Sequence, residues 1–209
     1  MPQENAHHFE PKDITTQDMY KLMTGSVVPR PIAWVSSQHE DGTRNIAPFS
    51  FFTVASRQPP TLLISIGPGT QNREGTVKDT LENIRSVNEF VINIVPFHHA
   101  DEMYTTSLPY DQEVDEFAKS GLTAARSKLV SPPSILEAPV AFECTCTQII
   151  PVGTDHVILG EVIHTSIDTA VYKGNYKINY DHFEPIARMA GDYRRLEPTS
   201  FTLPLHPNK

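Results

Sequence analysis

The residues best suited to chemistry lie in the stretch GPGTQNREGTVKDT, residues 67–80. A glycine-rich turn carries Arg73 and Lys78 into a helix pattern for which Asp79 is the expected N-cap and Glu82 its capping-box partner. Backbone N–H groups, the positive end of the helix dipole and two cations would converge there, which suits a phosphate. A solvated loop with a normal helix cap is the competing interpretation.

A second candidate site is the stretch NIAPFSFFTVAS, residues 45–56. Pro48 has no backbone donor and favours an edge strand, which leaves backbone groups available to a ligand. Hydroxyls and flat apolar faces come from Ser50, Thr53, Ser56, Phe49, Phe51 and Phe52. A planar ring with polar edges would fit such a wall. Alternatively, the phenylalanines belong to the core and the hydroxyls satisfy local backbone groups.

Other common kinds of site have no support in the sequence. There is no Walker A loop, no G-x-G-x-x-G after a strand and no G-x-S-x-G, so neither a Rossmann domain nor a hydrolase elbow is expected. His98 and His99 lack the helical spacing of a zinc pair, and no metal site is expected. Cys144 and Cys146 are interpreted as core thiols. We expect no side-chain catalytic residue, and difficult chemistry would reside in a cofactor.

Size and charge restrict the class of protein further. The chain has 209 residues, 39% of them hydrophobic, which predicts a single domain over residues 1–209. A net charge of −8 argues against nucleic acid or an anionic membrane as partner. The polar N-terminus and the lack of an apolar run of roughly 20 residues predict a soluble, cytoplasmic protein.

The elements that must position these residues are mostly strands. Six apolar runs predict strands: PIAWVSS, FSFFTVAS, TLLISIG, EFVINIVP, VAFECTCTQII and HVILGEVIHTSI. Asp41-Gly42 predicts a hairpin turn between the two runs that flank it. Short helices are predicted over residues 78–87, 98–108 and 113–121, the last ended by Gly121. The fold class is therefore mainly β, a small closed antiparallel barrel with a few peripheral helices, followed by an extended tail over residues 197–209.

Six segments together resemble the flavin reductase-like family, over about residues 8–196. They are GSVVPRPIAWVSS, DGTRNIAPFSFFTVAS, PPTLLISI, KDTLENI, EFVINIV and PIARMAGDYRRL. The resemblance implies a split β-barrel that binds FMN, closest to the branch with flavoredoxin and the reductase components of two-component monooxygenases. It implies cofactor-binding roles for Arg30, Pro31, Asn45, Ala47, Pro48, Ser50, Phe51, Phe52, Arg73, Lys78, Asp79, Thr80, Asn83 and Arg188. Tyr193 would lie near the flavin or a dimer seam, and a salt bridge holding the tail is an alternative for Arg188.

The same resemblance implies a reaction and an assembly. Members are typically homodimers with FMN at or near the subunit interface. NADH or NADPH would stack on the flavin as a transient co-substrate and pass hydride to its N5 atom, and a monooxygenase or electron-transfer protein could receive the electrons. Two other functions stay open: a flavoredoxin-like electron carrier with tightly bound FMN, and an FMN-dependent reductase of an organic acceptor.

Overall fold

A computed structural model of the chain describes residues 5–70, 73–112 and 114–196. Its helices are α1 (Thr16–Ser26), α2 (Asp79–Val87), α3 (Ala100–Thr105) and α4 (Glu116–Ser120), with a 3-10 turn at Phe97–His99. Its strands are β1 (Arg30–Pro31), β2 (Ala33–Gln38), β3 (Arg44–Phe49), β4 (Phe52–Arg57), β5 (Pro60–Ile66), β6 (Glu89–Ile94), β7 (Ala124–Ala125), β8 (Ser134–Ile135), β9 (Val140–Val152), β10 (Asp155–Ile167), β11 (Tyr172–Gly174), β12 (Lys177–Ile178), β13 (Ile186–Arg188) and β14 (Tyr193–Arg195).

Seven antiparallel strands form the main sheet, in the order β3-β2-β6-β9-β10-β5-β4. A smaller sheet pairs β1, β13 and β14. The two edge strands of the main sheet, β3 and β4, are consecutive in the chain and are joined by only Ser50 and Phe51. Because two linking residues span only about 10 Å, the sheet must curl until its edges approach each other.

The expected barrel is therefore confirmed only in part. The protein is mainly β and its main sheet curls, but β3 and β4 are not hydrogen-bonded neighbours in the described sheet. Full closure of the barrel remains an expectation. The predicted edge strand at Pro48 is confirmed, because β3 ends the sheet order.

Two apolar cores fix the curled sheet. The inner core takes alternate residues of the strands, such as Ala33 and Val35, and is filled by Leu81 and Ile84 of α2. The other face of β2 contributes Trp34, which packs with Met103 of α3 and the residues around α4. Alternation along β2 thus sends neighbouring side chains into different cores, which buries both of its faces.

Most predicted elements are present. Five of the six apolar runs fall largely in strands, whereas FSFFTVAS is divided, because Phe49 ends β3, Ser50 and Phe51 form a link, and Phe52 begins β4. Gly42 adopts a φ of 94° in the β2–β3 turn, as the Asp-Gly pair predicts. Gly121 ends α4 with a φ of 74°. Cys144 and Cys146 are buried free thiols, and burial raises the pKa of Cys144 to about 12, as expected for core residues.

Other features differ from the predictions or lie beyond them. Helix α1 and the short strands β13 and β14 were not predicted. Helix α2 begins at Asp79 with Lys78 as its N-cap, so the predicted cap at Asp79 is wrong by one residue. The predicted tail over residues 197–209 lies outside the described residues. None of the described helices has the length and apolar character needed to cross a membrane.

Candidate functional site

Three adjoining cavities share the side chain of Lys78, at the corner where β3 meets the start of α2. The inner cavity, of about 60 Å³, lies between β3, α2 and α4. The arginine cavity, of about 460 Å³, opens toward β1, β13 and α1. The strand cavity, of about 520 Å³, follows Pro48–Phe51 and the loop after β5. The corner is thus a continuous groove centred on one cation.

The loop before α2 is folded tightly against itself. The Gly69 N–H donates to the Thr76 carbonyl at 2.9 Å, and the Thr76 N–H donates to the Arg73 carbonyl at 3.1 Å. A side chain at Gly69 would collide with that Arg73 carbonyl, so glycine is required there. The loop therefore delivers Arg73 and Lys78 to the helix start in fixed positions.

Arg73 does not present a free charge to the groove. Its guanidinium forms a two-pronged ion pair with Asp79, in which Nη2 lies 2.8 Å from Oδ1 and Nη1 contacts Oδ2. Nη1 also donates to the Tyr110 carbonyl at 3.2 Å. The prediction that Arg73 and Lys78 both present a free charge is therefore wrong for Arg73, whose charge Asp79 neutralises. Asp79 has no side-chain capping bond in α2 and instead orients Arg73.

Lys78 is the cation that remains. No ion pair joins it to a carboxylate among the described residues, and its Nζ lies 5.6 Å from the centroid of the Phe49 ring. Burial, reinforced by the charge of Arg73, lowers the pKa of its ammonium group. A partly desolvated cation of this kind is stabilised by an incoming anion. Helix starts generally leave their first N–H groups unpaired, which favours an anion near Lys78 at the start of α2.

A buried polar network forms the floor of the inner cavity. The Asn45 amide donates to Oε1 of Glu116 at 2.7 Å, and its carbonyl oxygen accepts from the Thr80 hydroxyl at 2.7 Å. Glu116 also accepts from the Ile46 N–H at 3.4 Å. Burial, with a smaller contribution from Asp79, raises the pKa of Glu116 to about 7. The network fixes β3 relative to α2 and α4, and its members Asn45 and Thr80, both buried, line the inner cavity.

The wall of the groove runs along the end of β3 and the two-residue link. Ala47, Pro48 and Ser50 line the arginine cavity, and Phe51 lines the strand cavity. The backbone carbonyl of Phe51 accepts from the Ser65 N–H at 2.8 Å, which ties the link to β5. This is an edge of the sheet, so an apolar face and local polar groups are presented side by side.

A row of three side chains crosses the small sheet at the far side of the arginine cavity. Arg30 of β1 pairs with Arg188 of β13, and Arg188 pairs with Tyr193 of β14. Arg30 is buried, and Arg188 lies 4.3 Å from the centroid of the Tyr193 ring. Arg188 contacts this ring among the described residues, and the alternative of a salt bridge holding the tail concerns residues 197–209, which lie outside them.

Three residues predicted for the site lie outside the three cavities. Pro31 is exposed beside Arg30, and Phe52 packs against the inner core. Asn83 is buried in α2 and donates to the Ser37 hydroxyl at 3.0 Å. It lines a separate cavity of about 300 Å³ on the side of the β2–β3 turn, together with Asn45. None of these three residues lines the groove, so a ligand in the groove would contact their neighbours instead.

Sequence reasoning missed several residues that line the groove. Tyr20 of α1 lies 6.4 Å from Phe51, measured between ring centroids, and lines two of the cavities. Glu116 reaches the site from a helix more than thirty residues beyond Lys78. The sequence carries a signal for α1 but not for this role of Glu116, because an acidic residue in a short helix is usually exposed. No cluster of metal-ligating side chains occurs in the described part of the chain.

The sequence of the chain is similar to a known protein family and to a protein of another organism. A model described as "Flavin reductase like domain" matches residues 24–194. An uncharacterized protein of Aquifex aeolicus is 42% identical over 185 residues, which cover 88% of this chain and 93% of that protein.

Two solved structures share the fold at 29% sequence identity. Nitrilotriacetate monooxygenase component B from Bacillus cereus superposes with a TM-score of 0.89, covering 95% of this chain and 98% of that one. The 2-nitrobenzoate 2-nitroreductase NbaA of Pseudomonas fluorescens superposes with a TM-score of 0.84, covering 95% and 96%. The groove centred on Lys78 therefore belongs to a fold that these two oxidoreductase proteins share.

Proposed function

The chain belongs to the flavin reductase-like family, and from this membership we propose that it binds FMN in the groove and uses NADH or NADPH to reduce it. The observation that supports this most is Lys78, a cation without a carboxylate partner in the described part of the chain, which the three adjoining cavities share at the start of α2. The phosphate group of FMN would be stabilised by a cation in this position.

The described residues fit FMN part by part. Lys78, Thr80 and the helix start would hold the phosphate, with Arg73 held in place by Asp79. Ala47, Pro48, Ser50 and Phe51 would run along the ring system, with Arg30 behind them, since Arg30 Nε donates to the Ser50 hydroxyl at 3.5 Å. Asn45 would contact the cofactor from the floor. Pro31, Phe52, Asn83 and Arg188 complete the proposed cofactor set as supporting positions.

The protein contributes position and charge to the proposed reaction. FMN, when bound, supplies two-electron redox chemistry between a dihydronicotinamide and an acceptor. The groove holds both reactants against one wall, and its cations favour the negative charge that a reduced flavin ring carries. No side-chain acid or base is required.

We propose further that the chain acts as a homodimer in the cytoplasm. Helix α1 and its C-cap residue present exposed apolar side chains, Met23 and Val27, next to the groove that Tyr20 lines. A second copy covering α1 would enclose the cofactor. The free thiols of Cys144 and Cys146 are compatible with a reducing compartment. Delivery of reduced flavin to a monooxygenase, suggested by the likeness to a monooxygenase component B, is part of the same proposal.

An anaerobic reduction experiment tests the function. The purified protein is mixed with FMN and, separately, NADH or NADPH, and loss of the oxidised flavin absorbance is followed against a control without protein. We expect fast bleaching with turnover, and the faster donor identifies the nicotinamide preference. Bound FMN that stays oxidised with both donors would contradict the reductase proposal and favour the electron carrier. Turnover only after addition of an organic acceptor would favour the third function.

A further inference from the structure

The arginine cavity carries an excess of positive charge. Arg30, Arg188 and Lys78 line it, and none of its described lining residues is an aspartate or glutamate. The whole chain, by contrast, has a net charge of −8. A basic cavity in an acidic protein attracts anions locally and against the overall field.

The register of the small sheet places two of these charges against each other. Arg30 and Arg188 are direct cross-strand partners between β1 and β13. Like charges in this position destabilise a sheet unless something compensates them. Burial, with a smaller contribution from Arg188, lowers the pKa of Arg30, so the repulsion acts on a desolvated group.

The contacts of the two guanidinium groups hold them in place without cancelling their charge. Arg30 donates to the backbone carbonyls of Thr24, Val27 and Met189, with Nη2 at 2.7 Å from the last. Arg188 has its described contact with the Tyr193 ring, a cation–π interaction that leaves its charge intact. Among the described residues neither group has a carboxylate partner. Most N–H groups of Arg30 donate to carbonyls and to the Ser50 hydroxyl, so Arg30 contributes its charge and Arg188 the N–H groups that can bind an anion.

The rest of the cavity surface is aromatic. Tyr20, Tyr104 and Tyr193 lie around it, and Met103 forms part of its base. Flat aromatic faces and a thioether favour a planar ligand. A volume of about 460 Å³ suits a small molecule, because ligand sites occupy roughly 300–1,000 Å³.

We propose that the arginine cavity binds a planar organic carboxylate, with Arg188 contacting its carboxylate, the charge of Arg30 behind it and the tyrosines against its ring. The forked geometry of guanidinium matches a carboxylate. This inference rests on the proposed function, with the FMN ring in the strand cavity, which shares Pro48, Ser50 and Lys78 with the arginine cavity. The phosphates of a nicotinamide dinucleotide are the other source of an anion.

Binding measurements on the FMN-loaded protein test the proposal without turnover. Benzoate and the uncharged benzamide are titrated by calorimetry. We expect benzoate to bind at least tenfold more tightly than benzamide, and Arg188→Gln to remove that difference while leaving benzamide binding unchanged. Arg57→Gln, at an exposed arginine at the end of β4, is the matched control and should bind benzoate like the native chain.

Three results would overturn the proposal. The first is equal binding of benzoate and benzamide by the native chain. The second is an unchanged benzoate affinity in Arg188→Gln. The third is Arg188-dependent binding of ADP-ribose without binding of benzoate, which would assign the cavity to the dinucleotide. The affinity for FMN, measured separately by quenching of flavin fluorescence, distinguishes failure of this inference from failure of the proposed function.

Discussion

At the scale of single residues, the groove depends most on Lys78, which is half-buried and has no carboxylate partner among the described residues. We expect Lys78→Ala to weaken binding of FMN more than binding of riboflavin, which lacks the phosphate. A lost charge-assisted contact corresponds to about 1.5–3 kcal/mol, or roughly ten- to a hundredfold in affinity. Titrations that follow flavin fluorescence give both dissociation constants.

Lys177→Ala provides the matched control, because Lys177 is an exposed lysine in β12. Its variant should bind both flavins like the native chain. If Lys78→Ala weakens FMN and riboflavin equally, the phosphate lies elsewhere. The comparison isolates the phosphate contact, since the ring and the ribityl chain are the same in both ligands.

Glu116 gives the protein a pH-dependent stability near neutrality. Its pKa is raised from an ordinary value of 4.5 to about 7 by burial. The folded state therefore holds a proton that the unfolded state has lost, and the free energy of unfolding falls as pH rises from about 4.5 to about 7. We expect Glu116→Gln to remove this part of the slope while keeping an acceptor for Asn45. Urea unfolding of both proteins at several pH values measures it, and parallel slopes would contradict the assignment.

For single residues, the sequence predicts which side chains lie at the helix start, but not which of their charges are neutralised by a partner. The stretch around Lys78 is correctly predicted to present a cation at a helix start. The neutralisation of Arg73 by Asp79 depends on how the loop folds back over Gly69, and spacing alone does not show it. The contact of Glu116 with Asn45 joins positions 71 residues apart, which no local pattern encodes.

At the scale of elements, β10 is held against the inner core through Gly160. A side chain there would collide with the ring of Phe90 and crowd the Cβ of Cys144. Phe90 is fully buried in the inner core, so its ring must shift against packed neighbours to admit a methyl group. We expect Gly160→Ala to lower the free energy of unfolding by about 1–3 kcal/mol, the usual cost of overpacking. The midpoint of urea unfolding reports the change.

Gly25→Ala is the control for this substitution. Gly25 lies in α1, and an added methyl group there would meet only Ala190, at an ordinary 3.9 Å. Because alanine favours a helix more than glycine does, the free energy of unfolding of Gly25→Ala should rise slightly or stay unchanged. A loss of stability in Gly25→Ala equal to that in Gly160→Ala would contradict the packing explanation.

Elements with strong local signals are the ones that the sequence predicts. The β2–β3 hairpin follows from Asp41-Gly42 between two apolar runs. Helix α1 carries a comparable signal, since the Thr15 hydroxyl accepts from the Asp18 N–H at 3.1 Å in the manner of a helix cap. It was missed because its apolar residues are exposed and give little periodicity. Strands β13 and β14 have three residues each and are fixed by tertiary pairing.

At the scale of the whole molecule, the exposed face of α1 predicts self-association. We expect light scattering of the FMN-loaded protein to give twice the 23.4 kDa of one chain. Met23→Glu, at a side chain 52% exposed, should shift the mass toward the monomer, because it places a charge in the apolar contact. Leu136→Glu, at an exposed leucine outside α1, serves as control. A monomeric mass with full FMN occupancy would contradict the proposed interface.

The groove can form only after the later strands of the main sheet are in place. The Ser50–Phe51 link joins β3 and β4, which are neighbours in the chain but stand at opposite edges of that sheet. Their relative position is set through β6, β9 and β10, and β10 ends at Ile167. During synthesis, a chain that has emerged only to residue 110 already contains nearly every residue nominated for the cofactor and has no groove to hold it. The proposed binding of FMN therefore requires the completed sheet, and we expect a ribosome-bound fragment of that length not to bind FMN.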